Sequence, residues 1–149
     1  MKTIFDKNTR AEIKVRMGAL TPKSKAQWGR MTAAQMVKHC ILCEEYYHGN
    51  VTVKRSLLGR LVGGMAIRSI LKDDASGFPP NAQTPTQFRV TDNNLDLEAE
   101  KARWKQLIDR YETFGGRSFT HWFFGTMTKE QLGHFIYKHT DHHLRQFGV

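Results

Sequence analysis

The stretch that decides the fold is "FFGTMTKEQLGHFIYKHTDHHLRQF", Phe123 to Phe147. Its opening "TKEQ" reads as a capping box, with Thr128 at the N-cap and Gln131 three residues on, so a helix starts at Thr128 and runs nearly to the C-terminus. At about 100° per residue its apolar face centres on Leu132, Phe135 and Ile136. His139 and His143 bracket that centre, about 40° apart around the axis. Asp141 and His134 fall on the opposite, solvent side, and His142 at the edge of the apolar face beside Phe135. Two histidines four apart on an inward face bring both rings to one point, a spacing that suits a metal ion.

The same start signal occurs upstream. "GRMTAAQM" (Gly29 to Met36) and "GTMTKEQL" (Gly125 to Leu132) share a pattern of Gly, Met, Thr and Gln at equal spacing. The first predicts a helix from Thr32 to about His48, stopped at Gly49. Either two helices share a start signal for no deeper reason, or they enter the fold alike and face one another. Aligning them places His39, Cys43 and Tyr47 opposite Phe135, His139 and His143, each set on one helix face. His39 lies at the margin of a stripe formed by Met36, Cys40, Cys43 and Tyr47.

Two further helices complete the frame. One spans about Asp6 to Leu20, with Ile13, Met17 and Leu20 on one stripe and Asp6 or Asn8 as cap. The other spans about Asp96 to Phe114, with Leu97, Trp104, Ile108 and Tyr111 inward and a Gly115–Gly116 stop. More than forty residues separate the second and third of these four helices. They hold a short helix near Leu57 to Leu71 and a loop, "DDASGFPPNAQTPTQF", with all but one of the prolines. No window shows strong strand alternation. The expected class is all-α: one domain, residues 1–149, an antiparallel four-helix bundle with a long crossover carrying a short extra helix.

Composition bounds the function. With 149 residues, 40% hydrophobic and 25% charged, the chain has the make-up of a globular domain that can bury a core without disulfides. The start, "MKTIFDKNTR", lacks the apolar run of a signal peptide, and the most apolar stretch, "SLLGRLVGGMAIRSIL", is too short to span a bilayer and carries Arg60 and Arg68. Cys40 and Cys43 sit within one helical turn, which fits a reducing, cytoplasmic setting better than a disulfide. The formal net charge of +9 permits an acidic partner, but the cations are scattered and no base-reading motif accompanies them. "VKRSLLGRLVGGMAIRSILK" is the nearest to a basic patch; it reads either as a solvated face or as a contact for phosphates or an anionic membrane. Neither a membrane nor nucleic acid is the expected partner.

The candidate chemistry is a metal site: His139 and His143 from the last helix, joined by His39 from the facing one. The competing reading is a set of core histidines satisfied by hydrogen bonds. Cys43 is either a soft ligand or inert core, and Tyr47 either touches the site or only finishes the apolar stripe. His121, in "FTHWFFGTM", either overhangs the open end or plugs the helices with Trp122, Phe123 and Phe124. His142 is a neighbour of the site. No phosphate loop, paired inward carboxylates or Ser/His/Asp set is present, and Glu44, Glu45 and Asp141 offer no convincing general base.

At "WGRMTAAQMVKHC", the Phe123–Phe147 stretch and the crossover between them, the chain resembles the DinB-like (YfiT-like) metalloprotein superfamily over essentially its whole length. That resemblance implies a four-helix bundle, commonly a homodimer, holding a divalent ion such as zinc or nickel through three histidines that match His39, His139 and His143. Characterised members include thiol S-transferases that use low-molecular-weight thiols, which implies a metal-dependent enzyme acting on a small molecule. The sequence departs from the common "HHRGQ" ending with "HHLRQ", so Arg145 should point outward rather than serve an anionic thiol. The alternative is a non-catalytic helical protein whose basic surface binds an acidic partner or nucleic acid.

Overall fold

The computed structural model describes residues 1–82 and 84–149. Among the described residues, five α-helices and a small antiparallel hairpin, with two short 3₁₀ turns, make up the regular structure: α1 (Lys7–Gly18), α2 (Ala33–Tyr47), α3 (Leu57–Ile70), α4 (Leu97–Asp109), β1 (Ser118–His121), β2 (Gly125–Thr128) and α5 (Lys129–Gln146). The chain is therefore mostly helical rather than all-α.

The helix starts follow from the caps. Asp6 accepts from the Thr9 amide at 2.7 Å and caps α1. Both capping boxes form: Thr32 and Gln35 exchange two hydrogen bonds of 3.0 and 3.2 Å at α2, and Thr128 and Gln131 do the same at α5. Gly49, at φ +77°, follows the C-cap of α2. α4 is shorter than its apolar pattern suggests and tightens into a 3₁₀ turn, Arg110–Thr113, that still delivers Tyr111 to the core.

The inward stripes pack as their periodicity dictates. Ile13, Met17, Met36, Trp104, Ile108, Leu132 and Ile136 are all fully buried. α2 lies along α4, and α1 touches both α4 and α5. Lys101 of α4 buries its stem and donates from Nζ to the carbonyls of Gly18 (3.3 Å) and Leu20 (2.9 Å), closing the C-terminal end of α1. Glu44 of α2 accepts from the Tyr111 hydroxyl in the interior, and burial pushes its carboxyl up to about 7. α2 and α5 run in opposite senses, because Tyr47 meets Phe135 (ring centroids 5.9 Å apart) while His39 meets His143 (4.8 Å).

The hairpin corrects the expectation of a strand-free chain. Ser118 pairs with Thr128, and the ladder runs to His121 opposite Gly125. Each strand is only four residues long, and the turn is Trp122–Phe124, without the Asn-Gly or Asp-Gly signal that marks a tight hairpin. Gly125, at φ +88°, closes the turn. Asp141 is a second correction: it is half-buried and ion-paired with Arg16 of α1 at 2.8 Å rather than solvated.

α3 belongs to the crossover and rests on the hairpin through two glycines. A Cβ on Gly59 would lie 2.5 Å from the Phe123 carbonyl oxygen, and one on Gly63 would lie 2.1 Å from it. The other face of α3 exposes Leu57, Leu58, Leu61 and Met65. Among the described residues, no helix is long and apolar enough to cross a membrane.

The glycine contact gives a paired prediction. Gly63→Ala must push α3 off the hairpin backbone and should lower stability by roughly 1–3 kcal/mol, as overpacked substitutions do. Gly64→Ala meets nothing within 4 Å and should be neutral or stabilising by about 1 kcal/mol through helix propensity. Chemical denaturation of the two variants checks both signs.

Candidate metal centre

The inward face of α5 and the facing stripe of α2 bring four potential donors together. The donor atoms of His39, Cys43 and His139 lie within 4.8 Å of one another. His143 lies outside this tightest group, yet its ring centroid is 4.8 Å from that of His39 and 4.7 Å from that of His139. All three histidines expected from the sequence thus converge. Cys43 joins them because it is one turn from His39 on α2 and the opposed helix sense sets it across from His139; its Sγ is 3.8 Å from His39 Nε2.

Two of the imidazoles are anchored from behind. His39 Nδ1 lies 2.8 Å from the Phe88 carbonyl oxygen, which can only accept, so Nδ1 carries the proton and Nε2 is left with its lone pair. His143 Nδ1 lies 3.0 Å from Gln146 Oε1. The orientation of that amide is fixed independently, because Gln146 Nε2 donates to the Trp28 carbonyl at 2.8 Å. His143 therefore also donates from Nδ1 and frees Nε2. This arrangement, one nitrogen tethered to an acceptor and the other presented, is the one that orients histidines toward a metal ion.

The electrostatics keep every ring neutral. Burial lowers His39, with the Phe88 carbonyl opposing it. Burial takes His143 down to about 3, helped by the neighbouring His39. His139 is lowered well below the usual imidazole range by burial and by His143 and His39 beside it. Burial pushes the Cys43 thiol up. Neutral imidazoles and a thiol are a borderline-soft nitrogen and sulfur set, which suits zinc, nickel or copper better than magnesium or calcium.

The donors open onto a cavity of about 270 Å³. Its wall comes from two helices, the crossover loop and the hairpin: Tyr47 from α2, Phe78 and Phe88 from the crossover, His121 to Phe124 from the hairpin, and Phe135 and His142 from α5. His142 is buried beside Phe78 and Trp28 and contributes to the wall rather than to the donor group. His121 is not a passive plug. Its Nδ1 accepts from the backbone amides of Phe123 (3.1 Å) and Phe124 (3.2 Å), so it shapes the hairpin turn that roofs the cavity. Arg145 is exposed and paired with Asp141 at 2.9 Å, directed away from the site. Glu44 faces Tyr111 and α4, so it offers the cavity no carboxylate.

The chain matches, over residues 7–148, the model of a family described as a protein of unknown function (DUF1569). It belongs to that family. No curated protein and no solved structure matches the DUF1569 chain. Its histidine and cysteine group spans α2 and α5, both well inside the matched region.

Phe88 and Gln146 were not among the residues that the sequence singled out. Gln146 was within reach, since it stands three residues after His143 on the same helix. Phe88 was not, because its contribution is a backbone carbonyl forty-nine positions from His39.

His121 carries a pH prediction. Burial and the Arg55 guanidinium hold its folded value at about 3, below the unfolded value of about 6.5. Its contribution to stability is therefore complete above pH of about 6.5 and is lost as the pH falls toward 3. His121→Asn can still accept from the turn amides but cannot titrate. The loss of unfolding free energy between pH 7 and pH 5 should be smaller in the variant than in the parent, as read by denaturant titration at the two pH values.

Proposed function

We propose that this DUF1569 protein is a metal-dependent enzyme acting on a small molecule, with the ion held by His39, His139 and His143 and with Cys43 as an adjacent fourth donor. The observation that carries the proposal is the pair of tethers from Phe88 and Gln146, which occupy Nδ1 of His39 and His143 and leave Nε2 as the free nitrogen on two rings that pack against each other and against His139. Zinc and nickel suit that donor set. Part of the same reading is kinship with the DinB-like metalloproteins, with α1, α2, α4 and α5 forming an antiparallel four-helix bundle and α3 carried on the crossover. The opposed sense of α2 and α5 and the packing of α1 against α4 and α5 support it. A cytoplasmic setting also belongs to it, supported by two free, buried cysteines, Cys40 and Cys43.

The reaction class we favour is thiol transfer. A divalent ion held by His39, His139 and His143 would lower the pKa of a thiol at its open position and so would supply a nucleophile at neutral pH. The sulfur lone pair forms a bond to an electrophilic carbon, the thiol proton passes to solvent, and the electron pair of the breaking bond leaves with the departing group. The thiol and the electrophile are both small molecules supplied from outside. The chain's own contribution is to hold the nucleophile at the base of a walled cavity, limit water there, and keep the donor rings neutral through burial.

Metal analysis of untagged protein tests the proposal. The expected result is close to one divalent ion per chain, lost in a His139→Ala variant that remains folded and retained in His142→Ala. A metal-free native protein, or a His139→Ala variant that keeps its ion, would overturn the assignment. Gln146→Ala, which removes the tether on His143, should weaken metal affinity by about 10–100-fold in a competition titration with a chelator.

A further inference from the structure

The cavity wall narrows the substrate class beyond a small molecule. Among its described residues there is no Lys, Arg, Asp or Glu side chain. Cations of the adjoining elements are committed elsewhere. Arg55 donates from Nη1 to the His121 carbonyl at 2.6 Å, behind the hairpin, and Arg145 is ion-paired on the outer face of α5. A carboxylate or ammonium on the body of a ligand would lose its hydration in this cavity and meet no partner.

The wall offers ring surfaces instead. Phe78 stands edge-to-face against both His139 and Phe135, each with centroids 5.5 Å apart. Phe124 lies 5.2 Å from Phe135 and 4.7 Å from His121. The polar capacity that remains is small and neutral. His121 Nδ1 is already occupied by two backbone amides, so a neutral His121 ring has its other nitrogen as a donor. An aromatic wall with few neutral polar groups selects flat, apolar ligands.

We propose that the site takes a compact molecule with one metal-seeking head group, a thiol, and an otherwise uncharged, aromatic body. The inference rests on the metal reading above, since the head group needs the ion. It also excludes thiols that carry several carboxylates or ammonium groups, because an ion held by neutral donors brings two positive charges, one of them matched by the thiolate, and no charged side chain stands among the described lining residues to meet the rest.

Cobalt-loaded protein tests this with a readout independent of turnover. Benzyl mercaptan and mercaptosuccinate are titrated separately, and binding is followed by the sulfur-to-cobalt charge-transfer absorption. The expected result is at least tenfold tighter binding of benzyl mercaptan. Phe78→Ala should weaken that binding several-fold and leave the response to mercaptosuccinate unchanged. Equal or tighter binding of mercaptosuccinate would overturn the assigned class, as would stoichiometric cobalt that neither thiol perturbs; in both cases the metal site itself would stand. Failure to take up cobalt would instead defeat the metal reading and this inference with it.

Discussion

Each imidazole buried between α2 and α5 has two ring nitrogens that must find partners, and that requirement organises the molecule around it. An unpartnered polar group in the interior costs on the order of 1–3 kcal/mol. His39 meets the demand at one nitrogen with the Phe88 carbonyl, and His143 meets it with the Gln146 side chain. The second nitrogen of His39 lies 3.8 Å from Cys43 Sγ, and the His143 ring packs against both His39 and His139, with centroids 4.8 and 4.7 Å away. The long crossover is thereby constrained at one end, since it must return Phe88 to α2. The segment before α2 is constrained as well: the Trp28 carbonyl holds the Gln146 amide in the orientation that His143 needs.

The crossover and the hairpin then enclose what the helices present. Lys138 donates from Nζ to the carbonyls of Asp73 and Ser76, drawing the loop that carries Phe78 onto α5. The Tyr46 hydroxyl accepts from the Trp122 amide at 2.6 Å and donates to the Thr120 carbonyl at 3.3 Å, fixing the hairpin to α2. Gly59 and Gly63 let α3 close over the same turn with no side chain between. Three separate elements therefore converge on Phe78, Phe123 and Phe124, and the cavity stays small and apolar because the backbone around it is pinned.

Much of this was legible in the sequence, and the parts that were share a cause. Capping boxes at Thr32 and Thr128 are local signals, and they set the phase from which His39, His139 and His143 could be placed inward. The repeated start signal also pointed to these two faces of α2 and α5, although the antiparallel packing reverses the order in which they meet, His39 against His143 and Tyr47 against Phe135. What was missed depends on contacts that leave little local trace. The hairpin is four residues a side with an aromatic turn, too short for alternation to stand out. The Phe88 tether is a carbonyl, which any residue could supply. Cys43 was ambiguous because a buried cysteine packs like a small apolar residue, and only the distance to His39 and His139 brings it into the donor group.

The most direct measurement of the central claim is X-ray absorption at the metal edge of the zinc- or nickel-loaded protein. The account predicts a first shell dominated by nitrogen, with the outer-shell scattering of at least three imidazoles and room for one sulfur. A first shell of oxygen alone, without imidazole scattering, would show that the ion binds elsewhere and that the buried histidines are core.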